Sequence, residues 1–432
     1  MGKQTVLCKT CNAPLIIEPV GGQETQIICT VCHQQSVYPS SEQDLEELMF
    51  YALDEPFAFA SILKDKASLK KTYHVLEPPL STDEHEVLEF LRKTLLEELT
   101  VRLEDIQTSH HEYLTKEINT IIKDNDIIMD ALVRKKFLYY LNRWFLGYDT
   151  IDPIMKDVNI EDISCDGART PVFVHHRAYG SLESNVIFSD EYQLSQFVGR
   201  IAQKCGKHIS VALPMLDATM PDGSRIQMTL SDEITTRGST FTIRRFKADP
   251  ITPVDLINYN TMSPLVLAYL WMAVQHGANA LIAGGTASGK TSILNAIALF
   301  IPREAKIVSI EETREINLPH PNWIPGVTRS GLGEVRNNQS SGEIDLYDLM
   351  KAALRQRPEF ILVGEIRGKE AYVLFQAMAT GHTTYSTVHA DSTKSLIHRL
   401  EGEPINIPRI MLQSLDIICI QTIARVKDKR AR

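Results

Sequence analysis

The chain has 432 residues, 44% of them hydrophobic and 23% charged, with a formal net charge of −9 and a sequence pI of about 5.8. That length holds roughly three domains with ample core, and the acidic balance excludes a whole-chain basic footprint for nucleic acid. No apolar run approaches the ~18–20 residues of a membrane span.

The start, Met1-Gly2-Lys3-Gln4-Thr5, runs into a cysteine motif without the apolar region of a signal peptide. The expected location is therefore cytoplasmic, with any membrane association peripheral or through a partner. Seven cysteines fall into two groups. Cys8, Cys11, Cys29 and Cys32 form C-x2-C-x17-C-x2-C, the spacing of a four-thiolate zinc ribbon over residues 1–40. Each pair makes a knuckle presenting two sulfurs to one tetrahedral ion. Asn12 and His33, which come directly after the pairs, are residue types enriched at positive φ. Two disulfides are the alternative, disfavoured in a reducing compartment. So short a segment has little core of its own, and Zn²⁺ would supply much of its stability. Cys165, Cys205 and Cys419 are scattered and read as apolar packing.

Residues 41–146 read as a helical region. Over residues 40–50, Leu45, Leu48 and Met49 stand at i, i+3 and i+4. An irregular stretch comes next, ending in Glu77-Pro78-Pro79. Ser81-Thr82-Asp83-Glu84 is a capping box, and Val87, Leu88, Leu91, Leu95, Leu96 and Leu99 trace one apolar face beyond it. Two more helices are expected over 106–123 and 127–146. The faces mark packing, with a coiled-coil partner as the alternative. From Gly147 the pattern changes to short β-like runs, including 171–176 and 240–244, and Pro221-Asp222-Gly223-Ser224 is a turn. Residues 148–247 therefore read as an α+β domain and 248–262 as a linker. Ser263-Pro264, N-cap and N1, opens a helix through Gln275 that Gly277 ends.

Over 263–432 strands and helices alternate, the pattern of an α/β fold with a parallel sheet. Gly284-Gly285-Thr286-Ala287-Ser288-Gly289-Lys290-Thr291 fits G-x-x-x-x-G-K-[ST], between the apolar run Ala280-Leu281-Ile282-Ala283 and a helix opening at Ser292. Backbone amides of such a loop, with the helix N-terminus, cradle phosphate oxygens. Lys290 would neutralise the β and γ phosphates and Thr291 would sit on Mg²⁺, so the stretch 284–292 is the expected ATP site. Strands are also expected at 305–310, 360–363 and 384–388, and 326–342 reads as a mobile loop.

Phosphoryl transfer to water needs a held magnesium, an oriented water and cations on the developing charge. Strand ends beside the loop are where these belong. Glu311 and Glu312 come after one strand, and Glu365 ends another. Glu365 is expected to have a catalytic or metal role and Glu311 to orient water; surface charge is the alternative for Glu312. His382 and His389 bracket a third strand and read as sensors of the γ-phosphate or of a neighbouring subunit, or else as packing histidines.

Four elements in order, 284–291, Ile310-Glu311-Glu312-Thr313-Arg314-Glu315, Leu362-Val363-Gly364-Glu365-Ile366-Arg367 and 381–390, resemble those of the type II/type IV secretion ATPase superfamily. These are motors of type IV pili, type II secretion and archaella. Gln376-Ala377-Met378-Ala379-Thr380-Gly381-His382 and Thr387-Val388-His389-Ala390-Asp391 look most like the archaeal branch. The resemblance covers about 148–420. It implies a RecA-like P-loop ATPase domain preceded by a smaller lobe, a homohexamer, and a polytopic membrane platform protein as partner, with no nucleic acid expected. It also implies that arginines of the 148–247 lobe reach a phosphate, for which Arg225, Arg237, Arg244 and Arg245 are the matching positions. Glu311-Glu312 stands where relatives often carry Glu-Asp, and the cysteine motif is a separate attachment. The chain stops soon after an apolar strand where relatives commonly continue, as a short variant or a truncation. A nucleic-acid translocating or DNA-transfer ATPase is the competing reading.

Overall fold

The computed structural model describes residues 4–7, 14–17, 25–28, 35–38, 45–98, 109–232, 234–246, 250–286, 288–329, 335–336, 339–340, 344–426 and 429–431. The chain divides into two compact units, Met1–Arg245 and Phe246–Arg432.

In the first unit, β1 (Gln4–Leu7) and β2 (Pro14–Ile17) form one antiparallel hairpin, and β3 (Thr25–Ile28) and β4 (Gln35–Tyr38) another. Cys8, Cys11, Cys29 and Cys32, the expected zinc ligands, lie outside the described residues. The backbone N and Oγ1 of Thr5 donate to the two carboxylate oxygens of Glu47 at 2.6 and 2.8 Å. This joins β1 to β5 (Leu45–Asp54), an edge strand.

That strand corrects the helix expected over residues 40–50, and with it the first part of the helical region expected over 41–146. β5 pairs antiparallel with β6 (Ala58–Asp65), which pairs with β7 (Lys71–Leu76), where an irregular stretch was expected. The register slips at Leu48 and at Leu53. Each slip inserts a residue and breaks the alternation of a strand, so Leu48, Tyr51 and Leu53, which pack on the core, fall at mixed spacings that imitate a helix.

Helices come next. α1 (Thr82–Glu98), α2 (His110–Asp124) and α3 (Ala131–Phe145) bury Leu91, Leu95, Leu114, Ile118 and Phe137 against one another. Beyond them lie α4 (Asp152–Lys156), β8 (Ile160–Cys165), β9 (Pro171–His176), β10 (Gly180–Ile187), α5 (Glu191–Lys204), β11 (Met215–Thr219), β12 (Arg225–Thr229) and β13 (Thr240–Arg244). One nine-stranded sheet runs β11-β12-β13-β8-β9-β10-β7-β6-β5. The boundary expected at residue 147 is thus crossed by a continuous sheet, closed by the parallel pairing of β10 with β7. Tyr51 and Tyr73 both donate to Asp157, at 2.6 and 2.8 Å, and fasten the two halves.

The second unit opens with α6 (Pro253–Asn258) inside the expected linker. Thr252 and Asp255 form a full capping box ahead of Pro253 at N1, which is enough to start a helix in a short stretch. α7 (Pro264–Gln275) has the caps its sequence predicts: Ser263 accepts from Val266 N, and Gly277 turns at φ +72°. The chain continues through β14 (Ala280–Gly284), α8 (Lys290–Ala298), β15 (Ile307–Glu311), β16 (Trp323–Val327), a short ladder of β17 (Val335–Arg336) and β18 (Gln339–Ser340), and α9 (Leu346–Leu354). β19 (Phe360–Glu365), α10 (Glu370–Ala379), β20 (Thr383–His389), α11 (Thr393–Glu401), β21 (Ile417–Gln421) and a hairpin of β22 (Ala424–Val426) and β23 (Lys429–Ala431) complete it. Gly326 and Val327 belong to β16, so the expected loop begins later, and part of 326–342 lies outside the described residues.

The sheet runs β16-β15-β19-β20-β14-β21 with every pairing parallel. Both faces are covered, which is why its strands read as continuous apolar runs. Leu281 and Ala283 pack with α9, α10 and α11, while Ala280 and Ile282 pack with α7 and α8. Among the described residues no helix is long and apolar enough to cross a membrane.

In the first unit Phe197 is 2% exposed, with ring centroids 5.2 Å from Phe188 and 5.0 Å from Phe241. Phe197→Ala should cost about 3–5 kcal/mol, read as a lower urea midpoint. An unchanged midpoint contradicts this packing.

Candidate nucleotide site

The carboxyl ends of β14, β20, β19 and β15 lie side by side in the second unit. Parallel register places Gly284 beside His389, Thr387 beside Glu365, and Val363 beside Ile310. Residues just past these positions share one edge of the sheet.

At Gly284 the buried strand β14 turns into the glycine loop. A Cβ there would lie 2.5 Å from both Gln421 O and Ser288 Oγ, so a side chain has no room. Gly289, at φ +96°, takes the left-handed turn that aims the start of α8 at the loop. Lys290 Nζ and Ser288 Oγ each donate to Gly285 O at 2.9 Å. Burial lowers the Lys290 ammonium, with Glu365 opposing. Thr286 Oγ1 and His389 Nε2 are 2.9 Å apart, which ties the loop to the end of β20. Thr291 and Ser292 are the second and third residues of α8 and partly buried; Ala287 lies outside the described residues. The cradle without a Cβ, the helix start and the lysine fit a polyphosphate.

The two carboxyls of the edge have opposite electrostatics. Glu311 closes β15 and is 2% exposed. Its Oε1 accepts from Glu315 N and Ile316 N, each at 2.9 Å, while Oε2 is buried without a partner. Burial pushes this carboxyl up to about 7 against the pull of those amides. For Glu365 burial also acts upward, but the Arg367 hydrogen bond and charge, with Lys290 and His389, outweigh it and hold the group below the usual range. Arg367 reaches Glu365 at 2.7 Å and Glu312 at 3.5 Å, bridging two strand ends. Two carboxyls shifted in opposite directions at one edge of the sheet can divide proton acceptance and charge holding between them.

The two histidines are not brought together. His382 precedes β20 and His389 ends it, roughly 23 Å apart at 3.3 Å per residue. His382 Nδ1 lies 3.3 Å from Thr380 Oγ1, at the far end of the sheet. The four arginines belong to the first unit. Arg225 and Arg244 are exposed and directly opposed across β12 and β13, with Arg225 3.9 Å from Asp217. Arg237 is exposed in the turn before β13. Arg245 differs: it is half-buried, donates to the Asp157 carbonyl, and burial lowers it.

Sequence reasoning missed two residues of this edge. Arg367 is one. Glu370 is the other, its Oε1 accepting from Arg367 N at 2.6 Å and Gly368 N at 2.7 Å, so it fixes the turn that presents Arg367. The mixed-charge run after Glu365 was visible, but which charges pair depends on the turn.

The family described as "Type II/IV secretion system protein" matches residues 150–432. The uncharacterized protein MJ0900 of Methanocaldococcus jannaschii is 36% identical over 421 residues, covering 91% of this chain and 74% of that protein. The type IV secretion system protein PtlH of Bordetella pertussis is 32% identical over 225 residues, covering 46% of this chain and 64% of that protein. The solved structure of the Legionella pneumophila ATPase DotB aligns at TM-score 0.47 and 18% identity, over 65% of this chain and 77% of that one.

The Glu311 pKa near 7 lies above the unfolded value of about 4.3. Its contribution is therefore fully present below the unfolded pKa and lost as pH rises through 7. Glu311→Gln keeps an acceptor for the two amides and cannot ionise. The unfolding free energy of the nucleotide-free variant should gain on the parent between pH 5 and 8 by about 3 kcal/mol in total, read as a rising difference in melting temperature. A pH-independent difference contradicts the burial of this carboxyl.

Proposed function

This chain belongs to the type II/IV secretion system protein family, and on that premise we propose that it is a cytoplasmic hexameric ATPase. Hydrolysis would drive assembly of a type IV pilus-like filament, pilus or archaellum, or type II-like protein secretion. The observation that carries the reading is the gathering of Lys290, Glu365, Arg367 and His389 about one glycine loop at the carboxyl edge of a parallel sheet. The second unit serves as the RecA-like motor domain.

In this reading the loop 284–289 and the start of α8 bind the phosphates of ATP, with Lys290 leaving the Gly285 carbonyl for the β and γ oxygens. Mg²⁺, held through Thr291, would neutralise phosphate charge. Glu365, kept ionised by Arg367, fills the catalytic or metal role. Glu311 orients the attacking water and takes up its proton near neutral pH, and Glu312 holds the other side of Arg367. His389 reports the state of the loop through Thr286, while His382 faces away from this edge and suits a contact with a neighbouring subunit. Arg225, Arg237 and Arg244 are exposed and Arg245 is engaged with the Asp157 carbonyl; the family resemblance points to one of these four for the phosphate.

The N-terminal cysteines form a zinc ribbon in this proposal. The donor chemistry supports it, and in sequence each C-x2-C falls between the paired strands of one hairpin, β1–β2 or β3–β4. The partner of the motor in this reading is a polytopic membrane platform protein, through which it would associate with the membrane.

Lys290→Ala should abolish ATP turnover. Glu365→Gln should bind ATP as tightly as the parent and hydrolyse it ~10³-fold more slowly or worse, measured by phosphate release and by filter binding. Rapid turnover by Glu365→Gln would remove that residue from its role. Electron microscopy of surface filaments in the host carrying Lys290→Ala tests the biological part. Loss of one filament type names the substrate, whereas intact filaments together with DNA-stimulated, salt-sensitive hydrolysis would favour a DNA-transfer motor.

A further inference from the structure

Inside α8, five residues past Lys290, stands Asn295. It is 6% exposed, among the fully buried Leu294, Ala296 and Ala298. A primary amide in such surroundings is tolerated only when both its ends are bonded. Here both are, and to one short segment: Nδ2 donates to Glu315 O at 2.9 Å, and Oδ1 accepts from Asn317 N at 3.0 Å. A backbone carbonyl can only accept and a backbone amide can only donate, so the orientation of the side-chain amide is forced. On the opposite side of the same segment, Glu315 N and Ile316 N are the donors that hold Glu311 Oε1.

We propose that Asn295 is a positioning residue: through the backbone of 315–317 it locks the Glu311 carboxyl to the helix that carries the phosphate loop. Asn295 itself touches no reacting atom. Its effect is that a shift of α8, when the loop engages phosphate, is transmitted to the two amides on Glu311 as a rigid displacement. Other contacts keep the segment folded without it. Ile316 is fully buried, and Arg314 lies over the Trp323 ring at 5.2 Å. Losing Asn295 should therefore loosen the amides rather than unfold the loop. The charged groups facing Glu311 are on this segment, Glu315 raising its pKa and Arg314 lowering it. The consequence for turnover rests on the ATPase reading above; the coupling of Asn295 to Glu311 does not.

The test is a double-mutant cycle on the full chain, Asn295→Leu with Glu311→Gln, read in two ways. In the nucleotide-free protein, Asn295→Leu should change the pH dependence of the melting temperature in the parent and leave it unchanged in the Glu311→Gln background. With ATP, Asn295→Leu should lower kcat roughly 10–100-fold and leave nucleotide affinity within about threefold. It should also move the acidic limb of the pH–rate profile by about one unit, and add no further loss to Glu311→Gln. Asn295→Ser, whose hydroxyl can donate to Glu315 O or accept from Asn317 N and adds no titrating group, should recover part of the rate, and it carries the same comparison if the leucine variant fails to fold. Additive losses with an unmoved pH profile would reduce Asn295 to helix packing and overturn the proposal. A parent that hydrolyses no ATP would defeat the functional reading, while the nucleotide-free cycle still decides the role of Asn295.

Discussion

The crowding at Gly284 is the constraint on which the rest of the site depends. β14 lies between β20 and β21, and the loop that leaves it must pass within contact of the Gln421 backbone and the Ser288 hydroxyl. Only a residue without a Cβ lets the chain turn there and still start a helix a few residues later. Everything else is placed relative to that turn: His389 by register with Gly284, Glu365 by its pairing with β20, and Glu311 by β15 lying next to β19. A parallel sheet aligns its carboxyl ends, so groups far from Gly284 along the chain meet without any one loop reaching far.

Electrostatics then separates two residues that composition cannot distinguish. Glu311 and Glu365 both close apolar strands, yet one is buried against two amides and the other is held by a guanidinium. The first titrates near neutrality and the second stays charged. The difference arises in the few residues just past each strand. After Glu311 the chain folds back and offers backbone donors, while after Glu365 the turn fixed by Glu370 delivers Arg367.

Much of the second unit was legible because its signals are local. The alternation of buried strands with capped helices, the glycine loop and the strand-terminal carboxylates each occupy a few neighbouring residues. The features hidden in the sequence depend on long-range pairing. The bulges at Leu48 and Leu53 disguised β5 as a helix, since a strand with inserted residues loses the period that identifies it. The continuity of the first sheet past residue 147 required β7 to find β10. Likewise, His382 and His389 looked equivalent in sequence, and only the direction of β20 assigns one to the loop and the other to the far edge. The pairing of Arg367 and the bonding of Asn295 are of the same kind: a residue type is visible early, but its partner is chosen by the fold.

The contact between Thr5 and Glu47 has a further consequence. β5 is the outer strand of a nine-stranded sheet, and an uncovered outer strand invites another chain to add itself. Thr5 occupies both oxygens of Glu47 on this rim, and the first hairpin lies against it. The first hairpin thus covers part of this rim. Cutting it away would expose more of that outer strand, so insolubility of such a fragment would report the uncovered rim.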